Sequence, residues 1–222
     1  EQFKSIFKRV EGKEFYLRVP DFRDEKNVKY IDDLYTDIIS SDQHVYVFIE
    51  FFEAVSRAAK EHPIDLKIVI PMIRMNNEIK YWRYFIDYAF IGNGVKVPDL
   101  GIMVETESAI DYFEEYERLQ FVIIGLNDLI EERSDDYDRF SKISLAKFKG
   151  IFCPDIKDLH QHYRTSSKIH KTKHIIGGNV LNNPRIFKEL LRWGFRDFWI
   201  TQNKIRTYEE IVTGYNATRG RF

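Results

Sequence analysis

Short runs rich in β-branched residues alternate along this chain with longer stretches of helical periodicity, and that alternation limits the fold more than any other feature. EFYLRV (14–19), LKIVIPM (66–72), GIMVE (101–105), FVIIG (121–125), HIIGG (174–178) and DFWIT (197–201) read as strands. Between them, FFEAVSRAAKEH (51–62), NNEIKYWRYFIDYAF (76–90), SAIDYFEEYERL (108–119), 155–167 and NPRIFKELLRWG (183–194) read as helices. Nearly continuous apolar strands separated by helices predict a parallel sheet covered on its faces. VYVFI (45–49) is ambiguous between a further strand and an extension of the helix after it. No internal repeat or low-complexity segment interrupts the pattern, and no domain boundary is expected.

Composition narrows the class. The chain has 222 residues, 34 Lys and Arg against 35 Asp and Glu, and a net charge of -1. That balance argues against a dedicated nucleic-acid binder. No apolar run approaches the ~18 residues of a membrane helix. The single cysteine, Cys153, excludes an internal disulfide and a cysteine-rich zinc site. A reducing, cytoplasmic setting is the expectation. The first residue is Glu1 rather than Met, and a cut end is expected there.

In parallel β/α folds the chemistry gathers just past the C-terminal ends of the strands. Those places hold Arg18 and Asp21, Arg74, Glu105, Asn127 and Asp128, and Asn179, with Arg139 in a later loop. Glu105 and Asp128 follow neighbouring strands and have no Cys or His near them in sequence. Two carboxylates so placed suit a hard cation such as Mg²⁺, which takes one or two protein carboxylates. Arginines around it suit a phosphate or carboxylate. Each residue also has an ordinary explanation. A strand-end Glu is often solvated, Asn-Asp often caps a helix, and Arg139 in ERSDDYDR can form a surface ion pair.

The same residues resemble the C-terminal, phosphoenolpyruvate (PEP)-binding barrel of the PEP-utilising family, most like enzyme I of the sugar phosphotransferase system. GIMVETESA resembles a Gly-x-Met-Val-Glu-Thr-Pro-Ala signature. FVIIGLNDL, followed by YDR, resembles Phe-x-x-Ile-Gly-Thr-Asn-Asp-Leu followed by Asp-Arg. FYLRVPDFRDEK, LKIVIPMI and HIIGGNVLNNPRIFKELLRWGFRDFWIT resemble further parts in the same order, and EQFKSIFKRV resembles the helix before the family's third strand. The resemblance implies a (β/α)8 TIM-barrel-like fold, incomplete here, with strands three to eight present across residues 1–222. The first two strands and the phosphohistidine domain would be absent.

It also implies roles. Glu105 and Asp128 would bind Mg²⁺, and Arg18, Asn127 and Arg139 would hold the phosphoryl group, with Arg74 as a compensating cation. PEP would pass its phosphoryl group to a histidine on a separate domain or carrier protein, leaving pyruvate. A homodimer is implied as well. The chain departs from the pattern in three places. The cysteine that would protonate the enolate is replaced by Gly177, and a third-strand Gly-Gly reads Arg23 and Asp24. No arginine lies between Arg23 and Arg57. These departures leave two alternatives open: a non-catalytic module that senses PEP or pyruvate or docks a partner, and a metal-dependent carbon–carbon lyase of a 2-oxo acid. Cys153 is expected to be a buried or capping thiol. The histidines, His160, His162, His170 and His174 among them, are expected to be solvated.

Overall fold

The computed structural model describes residues 1–20, 42–73, 76–111, 116, 119–134, 143–152 and 172–219. The helix expected over 155–167 and the residues Asp21, Arg23, Asp24, Arg74, Arg139, Cys153, His160, His162 and His170 lie outside them. By backbone contacts the chain divides into two compact units, Glu1–Ile102 and Met103–Phe222.

The first unit runs α1 (Gln2–Arg9), β1 (Glu14–Arg18), α2 (Asp42–Glu61), β2 (Asp65–Ile70), α3 (Asn76–Gly92) and most of β3 (Asp99–Val104). The second runs from the end of β3 through α4 (Glu107–Asp111), β4 (Phe121–Gly125), α5 (Leu126–Arg133), α6 (Leu145–Phe152), β5 (Lys173–Gly177), α7 (Pro184–Trp193), β6 (Asp197–Trp199) and α8 (Ile205–Arg219). Single 3-10 turns cover Asn179–Asn182 and Gln202–Lys204. Hydrogen-bonded strands follow chain order, β1-β2-β3-β4-β5-β6. β1 pairs with β2, β2 with β3, β4 with β5 and β5 with β6 in parallel. This is the β/α alternation of a TIM-barrel-like fold carrying six of its strands.

All six expected strands are found. Every residue of β4 is buried, as are four of the five in β5. Strands covered on both faces cannot alternate polar with apolar, which explains their unbroken Ile and Val runs. VYVFI resolves as helix: Phe48, Phe52 and Val55 are buried at helical spacing within α2. Phe48 meets Trp82 of α3 edge-on at 4.8 Å and stacks on Phe85 at 5.8 Å. Phe3 of α1 meets Phe51 at 5.5 Å. The chain's many aromatic residues are thus spent on helix–helix contacts in this unit. At the other end of the strands Lys67 sits opposite Asp99 in register and binds both Asp99 and Asp65. Burial pulls its ammonium down, but the two carboxylates outweigh that and hold it above the usual lysine range.

In the second unit α7 starts and stops where the sequence places its signals. Asn183 accepts a hydrogen bond from the Arg185 N–H at 3.0 Å, Pro184 opens the first turn, and Gly194 closes the helix at φ 104. Phe187 of α7 packs against Phe198 of β6 at 4.6 Å and Tyr208 of α8 at 4.3 Å. An acid of α7 is enclosed as well. Glu189 is buried and receives Lys149 of α6 at 2.8 Å and Arg192 at 3.0 Å. Burial pushes its carboxyl up, and the two hydrogen-bonded cations more than reverse that, leaving it below the ordinary carboxyl range.

That balance fixes the sign of a pH effect. A carboxyl lowered by folding contributes stability above its unfolded value and loses it as pH falls through the folded one. Glu189→Gln should cost about 1–3 kcal/mol at neutral pH. The cost falls short of a fully buried pair because Lys149 and Arg192 are exposed enough to be rehydrated. Urea unfolding at neutral pH and below the carboxyl range should show the difference between the two proteins shrinking in acid.

Candidate functional site

β3 and β4 deliver the two acidic residues differently. Glu105 is the first residue past β3 and is 1% exposed. The next residue sets its direction: Thr106 accepts from the Ala109 N–H at 3.2 Å and caps α4, which begins at Glu107. β4 passes into α5 with no loop at all. Gly125 is the N-cap residue, without a side-chain cap, and Leu126, Asn127 and Asp128 form the first helical turn. Asn127 and Asp128, read in sequence as following the strand, therefore lie inside the helix start. The spacing of buried Leu126, Leu129 and Ile130 is the signal that could have found it. Asp128, half-buried, sits where the α5 dipole favours a negative charge.

Gly125 is where these segments meet. A Cβ there would come within 2.7 Å of Glu105 Oε2 and 2.9 Å of Glu105 Cβ. Only a residue without a side chain lets Glu105 lie against the end of β4, which leads into Asn127 and Asp128. The same two segments are tied at their outer ends. The Glu107 N–H donates to Glu132 Oε2 at 2.7 Å, and Arg133 Nε lies 3.1 Å from Glu107 Oε1. The α4 start is thereby braced to the end of α5.

A second junction joins β4 to β5. Gly125 and Gly177 are register partners at the strand ends. Just beyond, the Asn179 N–H donates to Asn127 Oδ1 at 2.8 Å. Gly178 adopts φ 137, and a Cβ on it would lie 3.0 Å from Asn127 Oδ1. Fixing Oδ1 as the acceptor of a backbone N–H also fixes the amide's orientation, so Asn127 presents its NH₂ as a donor. Asn179 thus positions Asn127. Gly177 stands apart from the other two glycines. A Cβ there would make only ordinary contacts, 3.7 Å to Ile123 Cγ2 and 3.9 Å to the Trp199 Cβ.

Arg18 is the exposed last residue of β1, in register with Val69, and belongs to the first unit. In that unit the backbone turns left-handed at Met72, φ 53, two residues before Arg74. Arg74 and Arg139 lie outside the described residues. Among the described residues no group of three or more His, Cys, Asp or Glu side chains converges. His174 corrects the expectation of a solvated ring. It is the second residue of β5, 3% exposed, with Nδ1 3.0 Å from the Thr172 carbonyl oxygen. A strand buried on both faces leaves its side chain no route to water.

The glycine contacts set up a contrast. Gly125→Ala should cost about 1–3 kcal/mol, because neither the Glu105 Cβ nor the strand can move aside. Gly177→Ala should stay within about 0.5 kcal/mol of the parent. Urea denaturation of the two variants measures both.

Comparison with known proteins bears on the family and the fold. The model of the PEP-binding domain of PEP-utilising enzymes matches residues 1–216. No curated protein sequence matches the chain. Among solved structures, a citrate lyase from Burkholderia xenovorans LB400 superposes with a TM-score of 0.50 at 10% identity, over 95% of this chain and 83% of that one. The malate synthase of Haloferax volcanii, in a lead(II) complex, gives 0.50 at 13% identity, over 84% of this chain and 60% of that one. At such identities the likeness is one of fold. No helix among the described residues is long and apolar enough to cross a membrane. A family match over nearly the whole length of a six-strand β/α chain places this protein in the PEP-utilising enzyme family as its PEP-binding domain.

Proposed function

We propose that this domain binds PEP or pyruvate through a magnesium ion held by Glu105 and Asp128, as part of a phosphotransferase most like enzyme I. The observation that carries the proposal is the fit between Glu105 and Gly125, which packs a 1%-exposed carboxylate against the segment bearing Asp128. Two carboxylates at adjacent strand ends are a hard, oxygen-only donor set, and Mg²⁺ needs no more than two from the protein. The ion, when bound, neutralises charge that builds on the phosphoryl and enolate oxygens.

The chain's own side chains bind and orient. Asn127 offers an NH₂ whose direction the Asn179 N–H fixes, suited to a phosphoryl oxygen. Arg18, Arg139 and Arg74 would supply the cationic forks for phosphoryl and carboxylate oxygens. Transfer breaks the bond between phosphorus and the enol oxygen of PEP and forms one from phosphorus to a histidine nitrogen on a separate domain or carrier. The electron pair of the broken bond stays on the enolate. Catalysis of this kind is positioning and charge neutralisation. The barrel strands missing by resemblance, the carrier domain, the homodimer and the cytoplasmic setting belong to this same reading.

One observation favours a second reading, a module that senses PEP or pyruvate without turnover. The enolate left by transfer needs a proton at its methylene carbon, and Gly177 has none to give. Its neighbours leave ordinary space for a side chain, so packing does not demand glycine there.

Calorimetry with PEP and Mg²⁺ should register binding to the parent and none to Asp128→Ala. Asn127→Asp keeps the acceptor for Asn179 but replaces the donor with a negative charge. It should weaken binding at least tenfold, about 1.4 kcal/mol or more, with an unchanged melting midpoint. Absence of heat in the parent, or unchanged heat in Asp128→Ala, would remove the proposal. Gly177→Cys separates the two readings. Assayed with the carrier domain, faster pyruvate formation from PEP supports the enzyme, whereas binding with no turnover in either protein supports the sensor.

A further inference from the structure

Glycine weakens a strand, and within one it often marks a place where another group approaches the backbone closely. β4 and β5 each end on a glycine, Gly125 and Gly177, and the two are register partners. At Gly125 the close approach is made by Glu105. Nothing among the described residues makes one at Gly177. Its φ is not positive, so the backbone does not demand glycine there. Packing does not demand it either. Apart from the adjoining residues of the chain, Ile123 Cγ2 at 3.7 Å and Trp199 Cβ at 3.9 Å are the only described atoms within 4 Å of where its Cβ would stand.

Register gives the direction in which that point faces. Paired residues of parallel strands turn their side chains to one side, and so do alternate residues of a strand. Ile123, Gly125, Gly177 and Trp199 therefore share a face. Phe198, next to Trp199, points the other way and packs on Phe187 of α7. The shared face is the one turned from the covering helix, the inner side, and it ends where β/α folds bind their ligands. Glu105 Oε2 lies 2.7 Å from the Cβ position of Gly125. The Cβ position of Gly177 lies one strand spacing further on, about 4.8 Å. A carboxylate that is 1% exposed and a carbon-walled space of methyl size thus stand side by side at the same level.

Those walls select the group that fits. Carbon atoms at such distances are near the optimum for dispersion contact and offer no hydrogen bond. A methyl group gains by entering, whereas a hydroxyl or a carboxylate would lose its water without replacement. Pyruvate ends at its third carbon. A 2-oxo acid with a fourth, apolar carbon keeps the carboxylate and oxo oxygens that a cation holds and adds one group for this space.

We propose that the site prefers a 2-oxo acid one carbon longer than pyruvate, with Gly177 setting the specificity and Ile123 and Trp199 walling the subsite. The inference rests on the reading of Glu105 and Asp128 as a magnesium site for such acids. The experiment is calorimetry of the full chain with Mg²⁺, comparing pyruvate with 2-oxobutyrate. 2-Oxobutyrate should bind at least about fourfold more tightly, the effect of burying one methylene. Gly177→Ala places a methyl of the protein in the space. It should keep the melting midpoint near the parent's and bring the affinity ratio to one or below, through weaker 2-oxobutyrate binding. Pyruvate binding with no preference for the longer acid, or a preference that survives Gly177→Ala, would overturn this inference and leave the magnesium reading standing. Binding of neither acid would overturn both.

Discussion

The approach of Glu105 to Gly125 is the contact on which the site depends. It demands two strand ends side by side, a turn that aims the glutamate inward, and a residue without a side chain opposite it. The parallel fold meets the first demand, Thr106 the second by capping α4, and Gly125 the third. Each is a local preference that agrees with the global arrangement, which is how a sequence specifies one structure. The brace among Glu107, Glu132 and Arg133 adds rigidity on the outer side. The proposed site would gain from such support, because misplacement by an ångström is costly.

Much of this is legible in the residues. β4 and β5 can be read because strands buried on both faces are continuous apolar runs, although VYVFI, equally apolar, is part of a helix. α7 can be read to its ends because Asn183, Pro184 and Gly194 are start and stop signals with a mechanism. α5, α6 and α8 escape such a reading. α5 has no side-chain cap and begins inside a motif that reads as a strand end. α6 is short, and its one signal is Ser144, which accepts from the Lys147 N–H at 3.1 Å. α8 mixes buried Tyr208 with a largely polar sequence, so its period is faint. The burial of His174 is hidden in the sequence because a lone histidine carries no mark of which way its strand faces.

The glycines separate what the fold requires from what the chemistry would require. Gly125 and Gly178 are dictated by neighbours, Glu105 in one case and Asn127 in the other. Gly177 is not, although it lies in register between Gly125 and Trp199 at the same strand ends. Sequence alone presents all three as strand-end glycines of equal standing. Only the distances show that a side chain could occupy position 177 and that one at 125 could not.

The same distances bear on the plainest account of Asp128, that it merely answers the dipole of α5. An acid in the first turn does that in many helices, and it needs nothing from the strand before it. Dipole compensation gives no reason for a glycine at position 125, nor for a second carboxylate held against that glycine from the next strand. It gives no reason for Asn127 to be clipped to the Asn179 backbone through its Oδ1. A bound cation with a phosphorylated ligand supplies one reason for all three features at once. For that reason the pair, rather than either acid alone, is the unit to test.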